Sequence, residues 1–418
     1  MFSWNAQTSR RLFGADLVLP ALVLFLLSLP VLSRLVAGSA QPGQHSDHLD
    51  HLRFAHEMAQ KGNFPPHPLF HCCVVFFSFG NATLTLGGIA VVVLALALAA
   101  RAYLTALLMT DGSVPPLGLI LGLCLCLALA MPLPNWWQFP PDLFPGNYAR
   151  YFKDLPSPAW WKVPVTYRGQ ISPNVWHNPT AIFAMPFALG LFLLGYEALR
   201  GLRTETMAGV GCVMALTLLA KPNYVLAFAP CLAVALLVAW YRGVGGGRLS
   251  VSTAVGQACL AFAPALAILT FQFRNAFGAG ITGDSRVIVA PFTSWSEFSP
   301  NIPASILLGV AFPATVTVFY GRPIMREAKV MLAWAVLAVA IAEFALFAEV
   351  GDRSTHGNFH WGAVAADQVL FVVCTDFLVR QRRSAWRNLA FAVLGLHVLS
   401  GCVYLTRSLC IPAMQSEF

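Results

Sequence analysis

About eleven runs of apolar residues, separated by short polar stretches, limit what this chain can become. A helix needs about 20 apolar residues to cross the ~30 Å hydrocarbon layer of a bilayer, where every backbone amide must find its partner within the protein. The runs fall at about 15–37, 84–108, 116–132, 178–199, 206–220, 222–241, 255–272, 304–321, 329–348, 364–380 and 387–406. They predict an all-α fold: one integral membrane domain over 1–418, a polytopic transmembrane helical bundle of about 11 spans. Composition agrees. The chain is 57% hydrophobic and 11% charged, where a soluble domain carries about 25% charged residues. The N-terminal Ser9-Arg10-Arg11-Leu12-Phe13 and the later Ala37-Gly38-Ser39-Ala40 have the outline of a twin-arginine signal. The run between them is long enough to span, so an uncleaved first helix is expected.

The formal net charge of +8 suggests nucleic acid until its placement is considered. One set of short loops holds Arg10 and Arg11, Arg101, Arg200 and Arg203, Arg242 and Arg248, Arg322, Arg326 and Lys329, then Arg380, Arg382, Arg383 and Arg387. Such a bias marks the cytoplasmic side. It places the N-terminus inside and the C-terminus outside, and it argues against nucleic acid as a partner. The opposite loops are long: 38–83, 133–177, 273–303 and about 349–363. They carry Trp136, Trp137, Trp160, Trp161, Trp176, Trp295 and Trp361, suited to the headgroup layer. They also hold His45, His48, His51, His56, His67, His71, His177, His356 and His360, leaving only His397 inside a span. The chemistry is therefore expected to face outward, away from ATP and nucleotide sugars. The ten cysteines show no metal-type Cys-x-x-Cys spacing.

The first long loop carries the densest cluster of reactive side chains. Ser46-Asp47-His48-Leu49-Asp50-His51 is followed by Pro66-His67-Pro68-Leu69-Phe70-His71. On a helix, Asp47, Asp50 and His51 share a face, and a carboxylate beside an imidazole is a workable general base. Asp47 is favoured, because it shares a stripe with His51 and Ala55. If a divalent ion such as Zn or Mn is bound, Asp47, His51, His67 and His71 are its candidate ligands. No spacing is diagnostic of a metal; otherwise these groups suit a sugar or phosphate.

Further along, His177-Asn178-Pro179-Thr180 opens a span. Asn178 is a natural cap and Pro179 a natural first residue, while helix N-terminal amides also attract phosphate. Lys221-Pro222-Asn223 sets a cation and an amide at a tight turn between two spans. Arg274 and Arg286 are further candidate phosphate contacts, and Arg286 can instead pair with Asp284. His356-Gly357-Asn358-Phe359-His360-Trp361 is placed to close such a site. Glu197, Glu343, Asp367 and Asp376 fall within spans; Glu197 and Asp376, near cytoplasmic ends, are expected to reach water.

The arrangement resembles the GT-C superfamily of integral-membrane glycosyltransferases, across the topology of roughly the first eight spans. Locally the resemblance rests on Asp47-His48-Leu49-Asp50-His51, Pro66-His67-Pro68-Leu69-Phe70-His71 and, more loosely, Lys221-Pro222-Asn223. It implies a GT-C-like bundle with amphipathic helices and an essential acid in the first outer loop. It also implies a polyprenyl-phosphate sugar donor, a glycan, lipid or protein acceptor, and inverting transfer on the extracytoplasmic face, in a membrane such as the bacterial inner membrane. In that reading Asp47, with Asp50 and His51, supplies the base, while Lys221, Arg274 and His177 stabilise the leaving phosphate. Two rival classes are an outward-facing polysaccharide polymerase or ligase, which would centre on Arg and His of a late loop, and a transporter or flippase. The latter predicts inverted repeats and broken helices. A structural membrane subunit would not explain where the histidines lie.

The orientation has a direct test. In a chain keeping only Cys72 and Cys73, a membrane-impermeant maleimide should label from the extracytoplasmic side; labelling from the cytoplasm alone reverses the topology.

Overall fold

The computed structural model describes residues 14–39, 47–79, 86–110, 115–133, 169–247, 249–277, 286–299, 301–350 and 357–410, and within them every apolar run is helical. His45, His356, Trp136, Trp137, Trp160, Trp161, Asp284 and the Arg10-Arg11 segment lie outside the described residues. In chain order come α1 (Ala15–Ser39), α2 (Asp47–Lys61), α3 (Leu69–Phe77), α4 (Leu86–Met109) and α5 (Leu117–Leu129). Next are α6 (Pro179–Gly201), α7 (Thr204–Ala220), α8 (Asn223–Gly245) and α9 (Val251–Phe277). Strand β1 (Arg286–Val289) precedes α10 (Thr293–Phe298), α11 (Ile302–Gly309), α12 (Ala311–Tyr320) and α13 (Arg322–Met325). Last come α14 (Ala328–Leu346), β2 (Phe347–Val350), α15 (His360–Arg380) and α16 (Ala385–Cys410). Strands β1 and β2 pair antiparallel, Arg286 opposite Val350.

Among the described residues eight helices are long and apolar enough to cross a membrane: α1, α4, α6, α8, α9, α14, α15 and α16. They become nine if α11 and α12, bent by 69° at their junction, form one broken span. The protein is thus an all-α integral membrane bundle, with fewer full-length helices than the eleven runs suggest. Helices α5 and α7 are apolar but short, about 20 Å and 26 Å by helical rise. Leu22, Leu26, Leu266, Phe271 and Phe273 stay exposed on α1 and α9, as side chains facing lipid should. Helix α15, by contrast, is enclosed along most of its length.

The short α5 ends inside the bundle, where its last carbonyls need partners other than water. They are supplied from several directions. Arg101 Nη2 donates to Leu127 O at 2.7 Å, and Asn174 Nδ2 donates to Leu127 O at 2.7 Å and to Ala130 O at 2.6 Å. His397 Nδ1 lies 2.7 Å from Met131 O, and Ser400 Oγ donates to Pro132 O at 2.6 Å. Arg101 is therefore no loop charge. It lies inside α4, 4% exposed, with Met185 Sδ as its other acceptor. Asp376 is corrected likewise: it does not reach water, but is buried against Lys329 at 3.0 Å and Arg380 at 3.2 Å. Glu197 is exposed and pairs with Arg200 at 2.8 Å.

Residues 169–178 run through the bundle without regular structure and are buried except for His177. Irregular backbone survives at such depth only where protein surrounds it. Gly169, at φ +72, lets this strap turn against the Phe298 backbone, where a Cβ would come within 2.8 Å. Trp295, 0% exposed, donates from Nε1 to Gly169 O at 2.8 Å and packs on Phe344. Trp176 is buried as well. These two tryptophans face the protein interior and not the headgroup layer.

Gly401 of α16 marks how closely α5 is gripped, since a Cβ there would overlap the Leu129 carbonyl oxygen. Gly401→Ala should therefore lower stability by about 1–3 kcal/mol through overpacking, read as a reduced thermal midpoint in detergent. An unchanged midpoint would show that this contact yields freely.

Candidate functional site

The site forms where α2 lies across the start of α6, and its centre is the Asn178 side chain. Asn178 caps α6: its Oδ1 accepts from Ala181 N at 2.8 Å, with Pro179 as the first helical residue. The same oxygen accepts from Thr180 Oγ1 at 2.9 Å and from Lys221 Nζ at 3.3 Å. With three donors on Oδ1, the amide can turn only one way, and Nδ2 donates to Asp47 Oδ2 at 2.6 Å. Capping and site-building are one arrangement here.

Each partner is delivered by local chemistry. Asp47 and Asp50 occupy the first turn of α2, where carboxylates suit the helix dipole. Lys221 precedes Pro222 and is accordingly extended, at φ −168 and ψ 120. That breaks α7 from α8 and leaves the lysine 8% exposed beside α6, with Thr180 Oγ1 at 3.1 Å and the Trp361 ring centroid at 4.4 Å. Burial pulls the Lys221 ammonium down to about 8, while Asp47 acts in the opposite sense.

Histidines fasten these parts together. His48 Nε2 lies 3.0 Å from Trp176 O, and His51 Nδ1 lies 3.0 Å from His71 Nε2, joining α2 to the strap and to α3. His177 and His360 flank Trp361, each with ring centroids 5.7 Å away, and His360 Nε2 lies 2.9 Å from Gln170 O. Gln272 Nε2 bridges Pro66 O and Leu218 O, both at 2.9 Å, which holds the α2–α3 connection against α7 and α9. Burial lowers His177 to about 4, against the raising effect of Asp47. Burial also lowers His71 to about 4, against the raising effect of its hydrogen bond to the His67 backbone. His51 falls well below its ordinary value through burial and then the adjacent His71, and His48 is lowered by burial. Neutral at pH 7, these rings give and take hydrogen bonds. His177 is thus no second cation beside Lys221.

The structure joins Asp47, Asn178 and Lys221 directly and sets His177 and His360 around Trp361. Helix α3 starts after Pro68 and includes His71 but not His67. Asn223 is nearby but turned away, donating to Asn358 O at 2.7 Å. Asp50 leaves the face it was expected to share: its side chain is 59% exposed and pairs with Arg53 at 3.4 Å, because α2 buries the stripe of His48, Ala55 and Met58. Arg274 and Arg286 are exposed at the end of α9 and on β1, outside the Asn178 network. Among the described residues no three His, Cys, Asp or Glu side chains gather so as to hold a metal, so Asp47, His51, His67 and His71 do not form one ligand set. Thr180, beside the Asn178-Pro179 cap, and Trp361, in the segment expected to close the site, both contact Lys221 directly, a pairing that chain neighbours alone do not signal.

No protein-family model matches the chain, and no curated protein matches it.

The buried imidazoles set a pH dependence. A histidine lowered from 6.5 to about 4 in the fold binds fewer protons than in the unfolded chain between those values, so stability rises with pH through that window. Thermal midpoints in detergent should therefore drop as pH falls from 6.5 to 4, and less steeply in His71→Gln. Identical slopes in the two proteins would remove His71 as a source of the effect.

Proposed function

We propose that this chain is a GT-C-type glycosyltransferase that moves a sugar from a polyprenyl-phosphate carrier to a glycan, lipid or protein acceptor at the extracytoplasmic membrane face. The observation that carries the reading is the Asp47–Asn178–Lys221 contact, which sets a carboxylate and a buried cation on one amide. The chain sits in a membrane such as the bacterial inner membrane, N-terminus inside, as its loop charges argue.

Asn178 holds Asp47 Oδ2, and the remaining oxygen takes the proton of the acceptor hydroxyl. The hydroxyl oxygen bonds to the anomeric carbon as the bond from that carbon to the phosphate oxygen breaks, so the configuration inverts. The electron pair leaves with the lipid phosphate. Lys221 offers an N–H beyond those given to Asn178 and Thr180, and its charge acts strongly because the surroundings are poorly polarisable. The lipid tail remains in hydrocarbon while the reacting bond meets the acceptor at the water boundary.

A second reading has its own support. The 69° break between α11 and α12, the internal end of α5 and the buried Arg101 are features that transporters also use. Purified protein given polyprenyl-phosphate hexose and acceptor separates the two: a glycosyltransferase makes product in detergent, where a transporter has no compartments to act between. Asp47→Asn should lower turnover by about 10²-fold or more, the usual weight of a general base, and Asp50→Asn should stay close to wild type. Full activity in Asp47→Asn would end the base assignment.

A further inference from the structure

Helix α15 carries buried polar groups that the mechanism above leaves unused. Its residues His360, Val364, Asp367 and Phe371 follow one another at spacings of three and four, so they form one stripe. At the top, His360 meets Gln170 O at 2.9 Å. Below it Val364 packs with Val175, Ala181 and Met185, and Trp361 packs against that cluster. At the bottom Phe371 closes against Phe312, 5.2 Å between centroids, and against His397 at 5.0 Å. Asp367 lies between, 0% exposed, and neither carboxylate oxygen has a hydrogen-bond partner among the described residues. The same holds for both amide atoms of Gln368 and of Gln170, each 1% exposed.

Two unpartnered atoms on each of two adjacent buried side chains, Asp367 and Gln368, are unusual, because buried polar groups are nearly always paired. Within a membrane such groups face the bundle interior and mark substrate pathways. Asp367 and Gln368 lie six and seven residues beyond Trp361, about 9–10 Å along the helix from the ring on which Lys221 rests. If Lys221 holds the phosphate, that depth suits the sugar attached to it. Carboxylate and amide oxygens accept, amide nitrogens donate, and each sugar hydroxyl does both. No lysine or arginine occupies the stripe to neutralise an acidic sugar.

We propose that Asp367 and Gln368 form the subsite that hydrogen-bonds the hydroxyl groups of the transferred sugar, and that this sugar is a neutral hexose. The inference rests on the glycosyl-transfer reading.

The test measures binding of two probes to the full-length protein in nanodiscs: a polyprenyl-phosphate hexose and the same polyprenyl phosphate without sugar. Wild type should bind the sugar-bearing lipid at least tenfold more tightly. Gln368→Leu and Asp367→Leu should lose that preference while keeping their affinity for polyprenyl phosphate. Their thermal midpoints should be unchanged or raised, since each replaces an unpartnered buried polar group with a hydrocarbon of similar size. Asp367→Asn, which keeps the shape and hydrogen-bonding capacity, should retain part of the preference. Preference intact in the folded leucine variants overturns the subsite, as does a lowered midpoint with preference intact. Equal binding of both lipids by wild type overturns the subsite and leaves the transfer reading to the Asp47→Asn assay. Failure of wild type to bind either lipid overturns both.

Discussion

The side-chain amide of Asn178 is the point through which the ends of α2, α6 and α7 are held together. Its oxygen receives the Ala181 amide, the Thr180 hydroxyl and the Lys221 ammonium; its nitrogen reaches Asp47, 131 residues away in sequence. Because Oδ1 already carries three donors, rotating the amide would turn its NH2 toward them. Because Pro179 fixes the helix start behind it, the whole side chain has little freedom to shift. A carboxylate on a surface helix is thereby pinned to a buried lysine by a residue whose local duty is to begin a helix. Neither Asp47 nor Lys221 touches the other in the way an ion pair would; Asn178 stands between them and sets their separation.

That amide stands on a foundation dictated by hydrocarbon. A helix ending inside a packed bundle leaves carbonyls that water cannot reach, and α5 is such a helix. Arg101 from α4, Asn174 from the strap, and His397 and Ser400 from α16 collect those carbonyls from three different segments. Asn174 belongs to the strap that continues through Trp176, held by His48, into Asn178 itself. The internal end of α5 and the placement of α2 are thus two ends of one chain of hydrogen bonds. Gln170, at the far end of the strap, meets His360 and so brings Trp361 over Lys221.

Parts of this were readable from the residues. Apolar runs mark helices whatever surrounds them, and each run is helical. Asn178-Pro179 reads as a cap, and Lys221-Pro222 as a break, because both rules concern neighbours in the chain. Arg101 and Asp376 could not be placed, since their partners, Leu127 O for one and Lys329 for the other, lie in different helices. In a segment that is apolar all round, no periodicity separates a lipid face from an interior face. The same gap explains the tryptophans: Trp176 and Trp295 look like headgroup residues until the strap is known, since Trp176 belongs to it and Trp295 covers it. Asp50 departs from the shared face for a more local reason. It lies three residues from Asp47, yet α2 rolls His48 and Ala55 inward, which carries Asp50 into solvent beside Arg53.

Burial has a further consequence for charge. The imidazoles around the centre are held neutral, so Asp47 and Lys221 are the two charges that matter on the Asn178 network, and they balance. Lys221 is pushed toward losing its proton by its surroundings and kept charged by Asp47. On the glycosyl-transfer reading, that balance breaks at the moment of reaction. A proton arriving on Asp47 cancels its charge, and the lysine is left with no counter-charge in a medium that screens poorly. The lipid phosphate gains negative charge in the same step, so the lysine finds its new partner as it loses the old one. Deprotonating the acceptor and stabilising the leaving group are then linked through one amide and one buried cation, with no need for a second basic residue at the site.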